Sequence, residues 1–226
     1  KDLDFFFENK AVAKTFIDKL LTKINALDQQ AKLQLEEIKE DDKQKGLFRG
    51  CLKGNLSAAN KALAANKGAT PIQFVSCNAI TFSNGLQFIF RFIGKPEIVF
   101  TTFDFEHCKV YYKLSAVDTG YLVFEGQSAQ AIATKTLVYT GNSRFVCSAI
   151  HRLTKFAKRG WVVSPQAILE LIASSYNINW SSVEAVKEEL SGFYAIKPDQ
   201  VDYILNELKQ KENFSIKEVT ELLEGL

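Results

Sequence analysis

The run from Pro71 to Phe92 narrows the fold more than any other stretch. Pro71-Ile72-Gln73-Phe74-Val75-Ser76 and Ala79-Ile80-Thr81-Phe82 lead into Ser83-Asn84-Gly85, after which Leu86-Gln87-Phe88-Ile89-Phe90-Arg91-Phe92 alternates again. Asn-Gly between two such runs is a strong hairpin signal, because the tight turn that fits two twisted strands needs φ > 0 at both central residues. The spacing predicts strands over 72–76, 79–82 and 86–92 in one sheet, the last two antiparallel across Asn84-Gly85. Residues 1–7, Lys1-Asp2-Leu3-Asp4-Phe5-Phe6-Phe7, read as a further strand of that sheet. A period of two sets Asp2 and Asp4 on one face and Leu3 and Phe5 on the other, with Phe6 and Phe7 carrying the chain into a buried sheet.

The rest of the chain divides by pattern. Val12, Phe16, Leu20 and Ile24, widened by Ala13 and Ile17, mark an amphipathic helix. Ala31, Leu33, Leu35 and Ile38 predict a second helix within the polar segment 28–45, and a short one is expected over 57–66. Phe103-Asp104-Phe105-Glu106 reads as extended, with strands at 109–114 and 121–124 around Asp118-Thr119-Gly120 and a short helix over 128–135. After a short strand at Leu137-Val138-Tyr139 the pattern is helical: 143–158, 164–175, 180–190, 198–209 and 215–224, punctuated by Gly160, Ser164-Pro165, Ser191-Gly192 and Pro198. Mixed sheet followed by helices is an α+β arrangement, with a head over 1–141 and a helical neck and body over 142–226.

Two patterns carry chemistry. Two carboxylates on one strand face are costly to keep charged unless a cation sits between them. Mg²⁺ suits such oxygen ligands and takes phosphates as its remaining partners, so Asp2 and Asp4 are candidate catalytic metal ligands, two ions forming a clamp for in-line transfer. A turn pair at a chain terminus is the alternative. The second pattern is charge: no Asp or Glu stands between Glu125 and Glu170, an interval holding Lys135, Arg144, His151, Arg152, Lys155, Lys158 and Arg159. Helical spacing sets Ser148, Arg152, Lys155 and Arg159 on one face and Val146, Ile150, Leu153 and Ala157 on the other. A one-signed face attracts phosphate, although a solvated basic helix face reads the same way.

Other features bound the function less tightly. Net charge is +2, so a nucleic-acid footprint would have to be local. Cys51, Cys77, Cys108 and Cys147 are scattered and suit a reducing compartment. No apolar run is long enough for a membrane span and no signal-peptide pattern opens the chain, which points to the cytoplasm, the host's if a phage encodes it. The chain opens on a strand and has no methionine, as a piece of a longer protein would. On a strand, His107 and Cys108 would point to opposite faces, which argues against a nucleophilic dyad; Glu106 would share Asp104's face as a further acid. Trp161 and Trp180 read as packing residues.

Lys1-Asp2-Leu3-Asp4-Phe5, then Thr102-Phe103-Asp104-Phe105-Glu106-His107-Cys108 with Leu122-Val123-Phe124-Glu125-Gly126, then Leu137-Val138-Tyr139-Thr140-Gly141, and finally Arg152 through Val163, stand in one order along the chain. Taken together they resemble the head and neck of the class II tRNA nucleotidyltransferase and poly(A) polymerase family, in the DNA polymerase beta superfamily. The wording F-D-F-x-H-C with K-F-x-K-R-G-W also resembles nucleotidyltransferase-like proteins of tailed phages. The resemblance implies a nucleotidyltransferase-like head using two Mg²⁺ ions on Asp2 and Asp4. It further implies nucleotide or phosphate contacts from Asp104, His107, Arg152, Lys155 and Arg159, with a nucleoside triphosphate and an RNA end, tRNA-like or other, as partners. Departures from the pattern accompany it. The Gly-Gly turn is missing because the chain starts after it, only Asp104 remains of an R-R-D motif, and the nucleotide-reading positions of the neck fall on Phe145, Val146 and Ala149. A third carboxylate expected near Gln87 is absent. These departures argue against CCA addition and leave a second expectation, a catalytically inactive protein of the same fold that binds nucleic acid or a partner protein.

Overall fold

The computed structural model describes residues 3–114, 119–192, 196 and 198–225. The chain forms two compact units, Lys1–Thr101 and Thr102–Leu226. Gly141, the expected boundary of head and body, lies within the second.

The first unit runs β1 (Leu3–Phe7), α1 (Lys10–Leu27), β2 (Gln34–Leu35), β3 (Lys39–Glu40), β4 (Phe48–Arg49), β5 (Leu52–Lys53), α2 (Leu56–Ala65), β6 (Ile72–Val75), β7 (Ala79–Phe82), β8 (Leu86–Ile93) and α3 (Pro96–Val99). Its main sheet has the order β3-β4-β8-β7-β6, with β1 also paired to β8. As the alternation predicts, β6, β7 and β8 form an antiparallel meander and β1 joins the same sheet, parallel to β8. Helix α1 starts where the Asn9 side chain accepts the amides of Ala11 and Val12, satisfying donors that the first turn leaves open. Its buried stripe is Ala13, Ile17, Leu21 and Ile24. The stripe is rotated from the expected one, and Val12 is 60% exposed. Phe16 instead flanks the stripe and meets the ring of Phe88 at 4.7 Å, within an aromatic group that includes Phe5, Phe7 and Phe82.

Two expectations fail in this unit. Segment 28–45 is not a helix: Gln34–Leu35 pairs with Leu52–Lys53 and Lys39–Glu40 with Phe48–Arg49. Ala31, Leu33 and Leu35 are spaced by two, the period of extended chain, and that period prevails over the weaker helical one. The Asn25 side chain holds the segment by bonding both the amide and the carbonyl of Leu33. Strand β1 is also less buried than its aromatic run suggests, since Leu3, Phe5 and Phe6 are all exposed and only Phe7 packs against the core cluster.

The second unit contains β9 (Val110–Leu114), β10 (Gly120–Phe124), α4 (Ser128–Ala133), β11 (Thr136–Leu137), α5 (Val146–Ala157), β12 (Val162–Val163), α6 (Pro165–Tyr176), α7 (Val183–Ser191), α8 (Pro198–Lys209) and α9 (Ile216–Glu224). The expected hairpin, helices and most of their boundaries are present; Asp118 of the hairpin turn lies outside the described residues. The addition is β12, which runs parallel to β11. Ser164, Ser182 and Ser215 cap α6, α7 and α9 from their side chains, the last in a capping box with Glu218. Phe105, Leu137, Tyr139, Val146, Ala149, Ala167 and Leu171 form one core, and α7, α8 and α9 close a second around Ile204 and Leu208. Trp161 and Trp180 pack against these cores, as expected. The mixed α+β class therefore holds for the chain.

Candidate functional site

The residues singled out in the sequence fall in both units. In the first, Asp4 lies on β1 in register with Gln87 of β8, which is in register with Thr81 of β7. The Gln87 amide donates to Thr81 Oγ1 at 3.2 Å, so the three form a polar row across the sheet. Gln87 occupies the place where a third carboxylate was expected. Asp2 lies outside the described residues. Among the described residues no group of three His, Cys, Asp or Glu side chains could hold a metal ion.

In the second unit, Asp104 and Arg152 do come together, while His107 lies against Phe156 and Trp161. Residues 103–105 run beside 138–140: Thr140 N donates to the Asp104 carbonyl, Glu106 N to that of Val138, and Thr140 Oγ1 to that of Phe103. This pairing turns the Asp104 side chain inward, where it is 6% exposed and receives an ion pair from Arg152. A buried carboxylate needs such a partner. Arg152 was expected to face solvent and hold phosphate; its side chain is 39% exposed, and its guanidinium pairs with the protein's own acid. The predicted helix faces are altered with it, since Ser148 is buried and Ile150 is 43% exposed. Lys155 and Arg159 do face solvent, Arg159 lying over the Phe156 ring.

Glu106–Cys108 is a 3-10 turn rather than a strand. It therefore does not place His107 and Cys108 on opposite faces, and Cys108 Sγ lies 3.4 Å from His107 Nε2. Proximity does not make a nucleophile here. The imidazole sits against the rings of Phe156 and Trp161, with centroids at 4.5 and 4.3 Å, and burial pulls its pKa down to about 4. Cys108 is exposed as a residue, yet its sulfur is desolvated and near the Asp104 carboxylate, which together push the thiol up to about 11. Both groups are neutral near pH 7, the reverse of an activated thiolate–imidazolium pair. His107 Nδ1 is buried without a hydrogen-bond partner. Glu106, expected as a spare acid, takes an ion pair from Lys109 at 2.6 Å and the amide of Gln127.

Spacing did not mark the carboxylate of Glu189, which is 6% exposed and accepts the amide of Cys147 in the first turn of α5. Phe145 offers α5 no side-chain cap, so an acid on α7 supplies one across the core. Burial pushes its carboxyl up, against the pull of the amides it accepts.

Two apolar surfaces also escaped notice. On the β9–β10 hairpin, Tyr112 is in register with Leu122 and Val110 with Phe124; Tyr112, Leu122 and Phe124 are 59, 58 and 46% exposed. Tyr112 lies over Gly120 so closely that a Cβ there would stand 2.2 Å from the ring. On α6 the inward residues are Ala167 and Leu171, while Ile168, Leu169, Ile172 and Tyr176 face water. A helix apolar on both sides has two faces to bury, and the sequence carried that signal.

Comparison with known proteins places the chain elsewhere than the resemblance did. A family model described as "Gad2: Gabija anti-defense 2 family protein" matches residues 1–135. A curated relative, "Gabija anti-defense 2" of Bacillus phage SPbetaL7, is 21% identical over 137 residues, covering 60% of this chain. The matched stretch spans 32% of that relative's length. No solved structure matches. The expected kinship with tRNA nucleotidyltransferases and poly(A) polymerases is thereby overturned, and with it nucleotide transfer to RNA ends. The resemblance rested on short motifs in a shared order, each too brief to be specific.

Proposed function

The chain belongs to the Gabija anti-defense 2 family, and from that premise we propose that it counters Gabija defence inside the infected cell by binding a protein of that system, without chemistry of its own. The observation that carries this reading is the β9–β10 hairpin. It lies within the matched residues 1–135 and pairs with no third strand among the described residues. A two-stranded ribbon is marginal by itself, and this one turns Tyr112, Leu122 and Phe124 to one side, where a partner would cover them. Aromatic anchors on an exposed apolar patch are the usual core of a protein interface.

Anti-defence function is tested by plating a Gabija-sensitive phage on cells that express Gabija with or without the chain. Wild type restores plaques; Leu122→Asp, which adds a charge to the exposed face, does not, while the purified variant keeps the wild-type circular dichroism spectrum. Equal protection by Leu122→Asp would remove the hairpin from the account.

A further inference from the structure

We propose that the exposed face of α6, with the basic end of α5 beside it, docks an amphipathic helix of a protein partner whose polar flank is acidic. The proposal rests on the reading that the chain works by binding proteins, and it adds a contact surface outside residues 1–135. Its starting point is the inverted character of α6. Ala167 and Leu171 point into the core, with Glu170, Ser174 and Ser175 half-buried on the flanks. The outer face carries Ile168, Leu169, Ile172 and Tyr176, 46, 66, 60 and 89% exposed; Ile168, Ile172 and Tyr176 are four residues apart, with Leu169 three before Ile172. That spacing is the register in which one helix offers anchors to another.

Charge names the partner. Between Glu125 and Glu170 there is no acid. Lys155, Lys158 and Arg159 are exposed at the end of α5, from which the chain passes through Gly160 and β12 into α6. None of the three is paired with a carboxylate among the described residues. Glu170, the one acid of α6, accepts from Gln166 at 2.8 Å. An apolar stripe preceded in the chain by uncompensated cations complements a helix that is apolar on one side and acidic along its edge. Nucleic acid fits less well, because three of the four exposed residues, Ile168, Leu169 and Ile172, are aliphatic and Tyr176 alone offers a ring on which a base can stack. A second copy fits less well too. Apart from the half-buried Glu170, α6 offers no acid to meet the cations of another copy.

The test uses the whole chain and fluorescein-labelled helical peptides sharing a leucine stripe but flanked by Glu or by Lys, read by fluorescence anisotropy. The Glu-flanked peptide should bind at least about tenfold tighter than the Lys-flanked one. Leu169→Asp with Ile172→Asp should abolish binding, and Lys155→Glu with Lys158→Glu should reverse the preference. Circular dichroism and thermal melts confirm that these surface variants fold. Equal binding of both peptides, or of neither, overturns the proposal. So does displacement of the Glu peptide by single-stranded oligo(U), or a sedimentation velocity dimer that the Leu169→Asp, Ile172→Asp variant dissolves. The peptides require no Gabija protein. A chain that prefers the Glu peptide yet fails to bind Gabija proteins sinks the proposed function alone. A chain that binds Gabija proteins unchanged after Leu169→Asp and Ile172→Asp, with no peptide preference, sinks this inference alone.

Discussion

Helices α1 and α6 begin alike, each capped by a side-chain oxygen, Asn9 or Ser164, and each laying one face on a core. They differ in what they show to water. Helix α1 buries Ala13, Ile17, Leu21 and Ile24 and exposes Lys14, Lys19 and Lys23, with Lys14 paired to Asp18. Helix α6 buries Ala167 and Leu171 and exposes larger apolar residues than it hides. The first helix leaves only Val12 as a large apolar residue in water. The second has apolar surface left over, and surface of that kind marks a place for another molecule.

The sharpest way to break the comparison is to put one charge in each buried or exposed stripe. Ile17→Asp buries an unpaired carboxylate in the core of the first unit and should cost more than about 4 kcal/mol, losing the cooperative urea transition. Ile172→Asp, chemically the same change on α6, should shift stability by less than about 0.5 kcal/mol. If Ile172→Asp also unfolds the protein, the face is not the open surface described here.

A second contrast separates the two cations of α5. Arg152→Ala leaves Asp104 buried without its ion pair and should cost about 2 kcal/mol, less than a fully buried pair because Arg152 is partly solvated. Lys155→Ala should be nearly neutral in the same urea titration. Similar losses for both would mean that the Asp104 contact does not hold the 103–106 segment.

The acid side of the stability profile gives a smaller effect. Burial keeps the folded His107 near 4 against an ordinary 6.5, so between those values the unfolded chain binds the proton and the folded chain does not. Stability from this residue is complete above pH 6.5 and is lost as pH falls toward 4, by on the order of 1 kcal/mol for a ring still partly in contact with solvent. Glu189 acts in the opposite sense at the lower end, because its raised carboxyl takes up a proton before the unfolded chain does. Comparing wild type with His107→Gln isolates the histidine: the variant should flatten the pH dependence of the urea midpoint between 4 and 6.5. An unchanged slope would mean that the imidazole is solvated.

What could be read from the sequence follows a physical division. Signals that are local and periodic gave the right elements: Asn84-Gly85 marked the hairpin, and Ser164-Pro165 marked the start of α6. Segment 28–45 misled because Ala31, Leu33 and Leu35 fit two periods, and only pairing with β5 decides between them. The site was harder. Spacing correctly placed Lys155 and Arg159 in water, but it did not show that Arg152 pairs with Asp104, 48 positions away. Long-range pairing of that kind leaves no mark in spacing. The same limit hid Glu189 as the cap of α5. The family was misread for another reason, since Asp2-x-Asp4 and its companions are short patterns that many unrelated chains contain.

The smallest expected effect bears on the metal reading of β1. Asp4→Asn keeps the shape of the side chain and removes its charge, and the variant should protect phage against Gabija as well as wild type does. Loss of protection with an unchanged fold would restore chemistry at Asp4 to the account.

The central claim is that this protein acts by binding, and it is tested most directly by immobilising the full chain and measuring purified Gabija proteins by biolayer interferometry, with and without EDTA. Wild type and Asp4→Asn should bind alike in both conditions, and Leu122→Asp should bind at least about tenfold more weakly. Absence of binding by a wild-type chain that still protects phage in cells would contradict the claim.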